Sequence, residues 1–358
     1  MLFLANFAAC KRKKEKMKGA EAERGRAQQG GRRFMDFVKR WALPISMVTG
    51  VVAYFVFVAL PFRQEVYVAA NRVIGIVQPT LLFLMLFFSF CRIRPQELRL
   101  CPWHLPLLLM QTGLFAVLAL LIILRPDIEG RIVYESAMLC LICPTATAAA
   151  VIVRKLGGNA AHLVTYTVMI NLVVSIVIPL MAPLIHPQPG LGFVRAFSAI
   201  MARVFPLLMC PMLLAWLIRY TLPRLNDLLQ ETGDLPFYLW TVSLALAIAV
   251  STRSIVHSTA GFWHLAAIAL VSLACCLFQF WAGRKMGGLK LNRPTDLSET
   301  ITAGQSMGQK NTVFLIWLSY TFFTPVTAIA GGFYCIWHNV INSIQLNRLK
   351  TEDSEKRT

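Results

Sequence analysis

The chain has 358 residues, 57 % hydrophobic and only 15 % charged, with a mean hydropathy of +0.60, which excludes an ordinary soluble domain and points to a polytopic membrane protein. The net charge of +18 raises nucleic-acid binding, but a folded basic face with interleaved aromatics is missing. Instead the basic residues gather in the leader, KRKKEKMK and ERGRAQQGGRR, and in short connections, the distribution the positive-inside rule produces.

Residues 1–40 are expected to form a basic, disordered cytoplasmic leader. Met1–Cys10 is apolar but too short to span, Met35 is a candidate initiator, and MDFVKRWALP could lie on a membrane surface. Apolar segments then recur at intervals matching about ten helices of roughly 20 residues. They fall near 42–61, 73–91, 102–124, 133–155, 160–185, 195–222, 235–255, 263–283, 298–320 and 325–346. Connections after the even segments are the more basic: Arg92, Arg94 and Arg99, then Arg154 and Lys155, then Arg219 and Arg224, then Arg284, Lys285, Lys290 and Arg293. Both termini are therefore expected inside, with a membrane domain over 41–346 and a cytoplasmic tail at 347–358. Nine cysteines, mostly within apolar runs, read as reduced packing residues; the CxxC of Cys140 and Cys143 lacks the second pair a metal site needs.

Two segments are interrupted. In the fourth, CPTATAAAVIVRKLGGN places Pro144 and a row of small residues at mid-span, where proline cannot donate to the helix ladder. In the ninth, TAGQSMGQKNTVFLIWLSY sets Gln305, Ser306, Gln309, Lys310 and Asn311 around Gly304 and Gly308. A lysine at membrane depth costs about 2.5–3.5 kcal/mol on insertion scales, and freed backbone is tolerated there only where it meets protein or lines a cavity. The competing readings are a proline kink with a small-residue seam for the fourth segment, and a late-starting ninth span whose Lys310 snorkels to the interface. Interruptions at matching places in two halves mark the site of an inverted-repeat transporter, here with repeats at about 41–187 and 194–346.

At these residues the chain resembles the bile acid:sodium symporter family, which includes bacterial homologues of the bile acid transporters. CPTATAAAV (143–151) is similar to that family's CPGGTASN-type crossover, and MGQKN (307–311) stands where the family has E-x-G-x-Q-N. Gln111 matches a polar residue beside the family's cation site, and Trp337, His338 and Asn339 reproduce a WHN sequence. The resemblance covers roughly residues 40–346. It implies a panel and a core domain, fourth and ninth helices that are broken and cross in the core, and transport by alternating access.

The departures from the pattern fall on the sodium ligands. The family's Ser-Asn pair becomes Ala149 and Ala150, a serine becomes Leu163 while Thr167 keeps a hydroxyl, the glutamate becomes Ser306, and a glutamine becomes Lys310. Sodium is a hard cation needing oxygen ligands, so no metal is expected. Lys310 without the glutamate carries the net charge of about +1 that the family's loaded site carries. It is expected to act as a tethered cation, or as a group that gains and loses a proton during the cycle. The expected substrate-facing set is Thr145, Thr147, Asn171, Asn311, His338 and Asn339; the coupling set is Gln111, Thr167, Ser306, Gln309 and Lys310. Pro144, Ala149, Ala150, Gly304 and Gly308 shape the crossover.

Elsewhere, Arg131 and Glu135 read as a surface pair, and Asn171 and Ser175 share a helix face. The function expected is secondary transport of a small or amphipathic organic anion across a bacterial inner membrane, with lipid and protons as the other partners, no cofactor and no enzymatic activity. The alternatives are a sodium symporter with rearranged ligands, a membrane-embedded enzyme using His338, Lys310 and Gln309, and a transport-dead receptor.

Overall fold

The computed structural model of the chain describes residues 41, 44–61, 63–187, 189–232, 235–258, 260–288 and 296–355, the last few (350 and 352–355) by backbone alone. The leader at 1–40, together with Lys290 and Arg293, lies outside the described residues. Two compact units, 1–49 and 50–358, divide the chain. Of the first, little beyond the start of one helix is described; the second holds the remaining helices and the cavities between them.

Helices make up most of the described residues, and no strand occurs among them. A helix at Pro44–Ala59 (α1) is followed by α2 (Gln64–Cys91), a 3-10 turn at Pro95–Glu97, α3 (His104–Leu124), α4 (Arg131–Ile142), α5 (Ala149–Lys155), α6 (Ala160–Ile185) and α7 (Phe193–Thr221). Then come α8 (Pro223–Gln230), α9 (Leu235–Val256), α10 (Phe262–Gly287), α11 (Leu297–Gly308), α12 (Thr312–Phe322) and α13 (Ala328–Glu355). Among the described residues six helices, α2, α3, α6, α7, α9 and α10, are long and apolar enough to cross a membrane. Their outer faces keep large apolar side chains exposed, such as Leu109, Val117 and Leu120 on α3 and Leu213 and Leu217 on α7. A soluble monomer rarely leaves such contiguous apolar surface open, which makes the chain an all-helical polytopic membrane protein.

The apolar segments of the sequence each coincide with a helix or with a broken pair. Helix α8 was not anticipated; it begins at Pro223, at the position where proline is preorganised for a helix start. Helix α13 runs on to Glu355, beyond the expected span end at residue 346.

Both interruptions have local causes. Helix α4 ends at Ile142 because Pro144 offers no N–H and disfavours helical geometry at the residue before it; Cys143 accordingly has φ −48° and ψ 132°. Helix α11 ends at Gly308, followed by Gln309 in extended geometry. Asn311 then restarts the chain as the N-cap of α12, its side-chain oxygen accepting from Phe314 N, as asparagine does well.

Helix α10 holds α11 closely. A Cβ on Gly283 would stand 2.5 Å from the Ala303 carbonyl oxygen, and one on Gly287 would lie 2.6 Å from both the Glu299 carbonyl oxygen and the Ala303 Cβ. Gly304 lies beneath the aliphatic part of Arg284, and Gly308 against the Phe280 ring. Small residues at a Gly-x-x-x-Gly spacing let two helices approach until their backbones touch. The carbonyl of Gly308 accepts from the Tyr334 hydroxyl at 2.9 Å, which ties the end of α11 to α13.

Candidate functional site

The extended breaks at 143–148 and 309–311 meet. Thr145 and Lys310 form an isolated antiparallel bridge. Ala146 N donates to Gln309 O and Asn311 N to Pro144 O, each at 2.9 Å. The Thr145 hydroxyl donates to Ser306 O at 2.6 Å, and the Cys143 thiol to Asn311 O at 3.2 Å. In this way each break supplies partners for the backbone groups the other leaves free, as burial away from water requires.

Gln111 completes the arrangement from α3. Its amide donates to the carbonyls of Ile142 and Cys143 at 3.2 and 3.1 Å, and its oxygen accepts from the Tyr166 hydroxyl at 2.7 Å. Gln111, expected in the coupling set, caps a helix here: it satisfies carbonyls that the missing turn after α4 orphans. Gln111→Leu is therefore expected to lower the melting temperature in detergent. Stranding these buried groups costs about 1–3 kcal/mol each; an unchanged melting temperature would refute the capping role.

Against the crossing lies a cavity of about 110 Å³ lined by Ala146, Thr147, Gln309, Lys310, Asn311, His338 and Asn339, with Trp240 and Cys335. Lys310 is 1 % exposed, so it does not snorkel. Its Nζ, the Gln309 Oε1 and the His338 Nδ1 have no hydrogen-bond partner among the described residues. Polar atoms this deeply buried are normally paired, and these three belong to residues that line one cavity.

The expected residues divide accordingly. Thr147, Asn311, His338 and Asn339 line the cavity with Gln309 and Lys310. Thr145 lies in the crossing, but its hydroxyl is committed to Ser306 O. Asn171 is buried in α6 and does not belong to this lining. Thr167 donates to Leu163 O and Ser306 to Thr302 O, both back onto their own helices. Thr167, Thr147, Ala150 and Leu163 border a separate void of only about 10 Å³; with Leu163 and Ala150 in the wall, it is no cage of oxygens. Ala149 is fully buried at the start of α5, and Gly304 and Gly308 serve the α10 contact.

Two supports, Gln279 and Tyr334, were missed from the sequence, and the partners of Gln305 were not foreseen. Gln279 in α10 donates to Cys140 O and to the Tyr334 hydroxyl at 3.3 and 3.1 Å; Tyr334 in turn holds Gly308 O. Gln305 donates to Asn342 and Gln345 on α13 at 3.0 and 2.9 Å. The available signal was a lone glutamine or tyrosine inside an apolar run, which costs too much to bury without a partner.

Glu135 also differs from expectation. It is 1 % exposed, not a surface residue. Arg131 Nε donates to its Oε1 at 2.8 Å and uses its other nitrogens on the carbonyls of Pro126 and Ile185. His186 Nε2 stands 3.1 Å from the same carboxylate oxygen without the alignment of a hydrogen bond.

A larger cleft of about 600 Å³ opens between α1, α2, α9 and α12. Arg253 reaches Asn71 there, beside Tyr67, Gln78, Trp317 and Tyr320. Models of protein families and curated proteins give no match to this chain.

Proposed function

We propose that the chain is a secondary transporter of a small organic anion, with Lys310 as the fixed cation of its binding site. The observation that carries this is Lys310, which lines a cavity with Gln309 and His338 at the meeting of two broken helices and whose buried Nζ has no hydrogen-bond partner among the described residues. A polar site built from interrupted helices that pair with each other is the arrangement transporters use at mid-membrane. On this reading the chain forms ten spans in two inverted repeats, about 41–187 and 194–346, with panel and core domains. Both termini lie in the cytoplasm of a bacterium, and the protein sits in the inner membrane.

The residue resemblance to the bile acid:sodium symporter family supports the same architecture, and its lost ligands define the difference. A lysine in place of glutamine at 310 repels sodium where the family attracts it. The anion is therefore held by a covalently fixed charge, and coupling to sodium is absent. Protons or exchange of one anion for another remain as the driving force.

Counterflow tests this directly. Proteoliposomes loaded with an unlabelled organic anion are mixed with a trace of the labelled one, over a panel of keto acids, hydroxy acids and taurocholate. Saturable accumulation that persists when sodium is replaced by choline, and that disappears in Lys310→Met, is expected. Sodium-dependent accumulation would restore the symporter reading. Chemical conversion without accumulation would establish an enzyme, and inertness across the panel would favour a receptor.

A further inference from the structure

Away from the crossing, three side chains with different ligand chemistry converge: Cys101 from the loop before α3, His162 from the first turn of α6 and Glu299 from the first turn of α11. Their ligand atoms all lie within 4.8 Å of one another, and His162 Nδ1 is 2.7 Å from Glu299 Oε1. These residues are far apart in sequence, and none is fully buried, so an ion could reach them from solvent.

The backbone beneath them is held firmly. Cys101 N donates to His104 Nδ1 at 3.0 Å, which makes Nδ1 the acceptor and places the ring proton on Nε2. His104 Nε2 then donates to His162 O, also at 3.0 Å. One imidazole, 1 % exposed, thus fixes the spacing of two of the three residues. The third is anchored on its far side, where Trp103 Nε1 donates to Glu299 Oε2 at 2.7 Å, leaving Oε1 turned toward His162. Asn159 secures the base of α6 by accepting from Ala161 N and His162 N, and its own N–H donates to Thr302 on α11 at 2.8 Å. A carboxylate oriented through one oxygen and a histidine oriented through its backbone are the supports that metal ligands need.

We propose that Cys101 Sγ, His162 Nδ1 and Glu299 Oε1 form a binding site for a zinc-class divalent cation, which fastens the start of α11 to α6 and to the loop before α3. Thiolate, imidazole and carboxylate together match zinc and cobalt, whereas calcium, magnesium and sodium require oxygen donors. Bonds of ~2.0–2.3 Å in a tetrahedral centre place ligand atoms about 3.3–3.6 Å apart. The His–Glu pair opens slightly and the thiol closes in, both within the reach of side-chain rotation. The thiolate and carboxylate neutralise the divalent charge, and water takes the fourth position. Burial, with Glu299 adding to it, pushes the Cys101 thiol up to about 11, so binding releases the thiol proton to solvent.

Cobalt reports on such a site independently of any transport. Tag-free, full-length protein in detergent, stripped with chelator, is titrated with Co²⁺ and followed by absorbance. The expected result is a thiolate-to-cobalt charge-transfer band saturating at one equivalent and bleached by one equivalent of Zn²⁺. Cys101→Ser should abolish the band, and His162→Gln or Glu299→Gln should weaken Co²⁺ binding at least tenfold. The double variant Cys140→Ser/Cys143→Ser should keep the band, which separates this trio from the CxxC. Should Cys101→Ser fail to fold, the His162→Gln titration decides. No band in the native protein, a band surviving in Cys101→Ser, or unchanged affinity in His162→Gln would overturn the site.

Discussion

Replacing Lys310 by methionine is expected to raise the melting temperature of the protein while abolishing anion counterflow. Most buried substitutions act in the opposite direction, so the sign is diagnostic. The ammonium is 1 % exposed and has no partner among the described residues. A lysine at membrane depth costs about 2.5–3.5 kcal/mol. Methionine is also unbranched and flexible, fills the same channel of space, and carries no charge to desolvate. At about 2–4 °C per kcal/mol in domains of 150–250 residues, and less in longer chains, a rise on the order of 5 °C is expected. A protein keeps such an instability where the strained group does work. A fall in melting temperature would mean that Lys310 is satisfied in the fold, and would remove the main support for an anion site.

The second large effect is asymmetric. Arg131→Met should destabilise the protein by about 3–5 kcal/mol, because it leaves the Glu135 carboxylate buried without its guanidinium. The Glu135 side chain is 2 % exposed and that of Arg131 28 %. In Glu135→Gln the arginine keeps its bonds to the Pro126 and Ile185 carbonyls and stays partly solvated, so the loss should be only about 1 kcal/mol. Side-by-side melting of the two variants tests this; equal losses would show that the pair acts through its packing rather than its charge.

Much of the scaffold was legible because its signals are local. Apolar runs of span length located the long helices, and Pro144 located the end of α4 through proline chemistry, whereas the capping role of Asn311 at the start of α12 was not read. The two interruptions were readable as such, and four of the six expected substrate-facing residues reached the cavity. Residues whose roles depend on which helix lies opposite were not readable. Gln111 offers the same polar tip to a cation or to an orphaned carbonyl, and only the position of α4 decides between them. Asn171 sits on a face whose direction its own helix does not specify. Glu135 looked solvated because Arg131 stands one turn away, and its burial comes from packing that the local sequence cannot announce. Cys101, His162 and Glu299 carry no spacing signature at all, since three separate elements deliver them.

The paired breaks also govern how the molecule can move. Ala146 N–H, Asn311 N–H and the Thr145 hydroxyl each find their acceptor on the opposite segment. Pulling the segments apart would strand these groups where no water replaces them, at a cost of several kcal/mol each. On the transport reading, the two broken helices travel together, with Lys310 where they meet. On the same reading the cavity opens by displacement of its other wall, the part contributed by Met85 on α2 and Trp240 on α9.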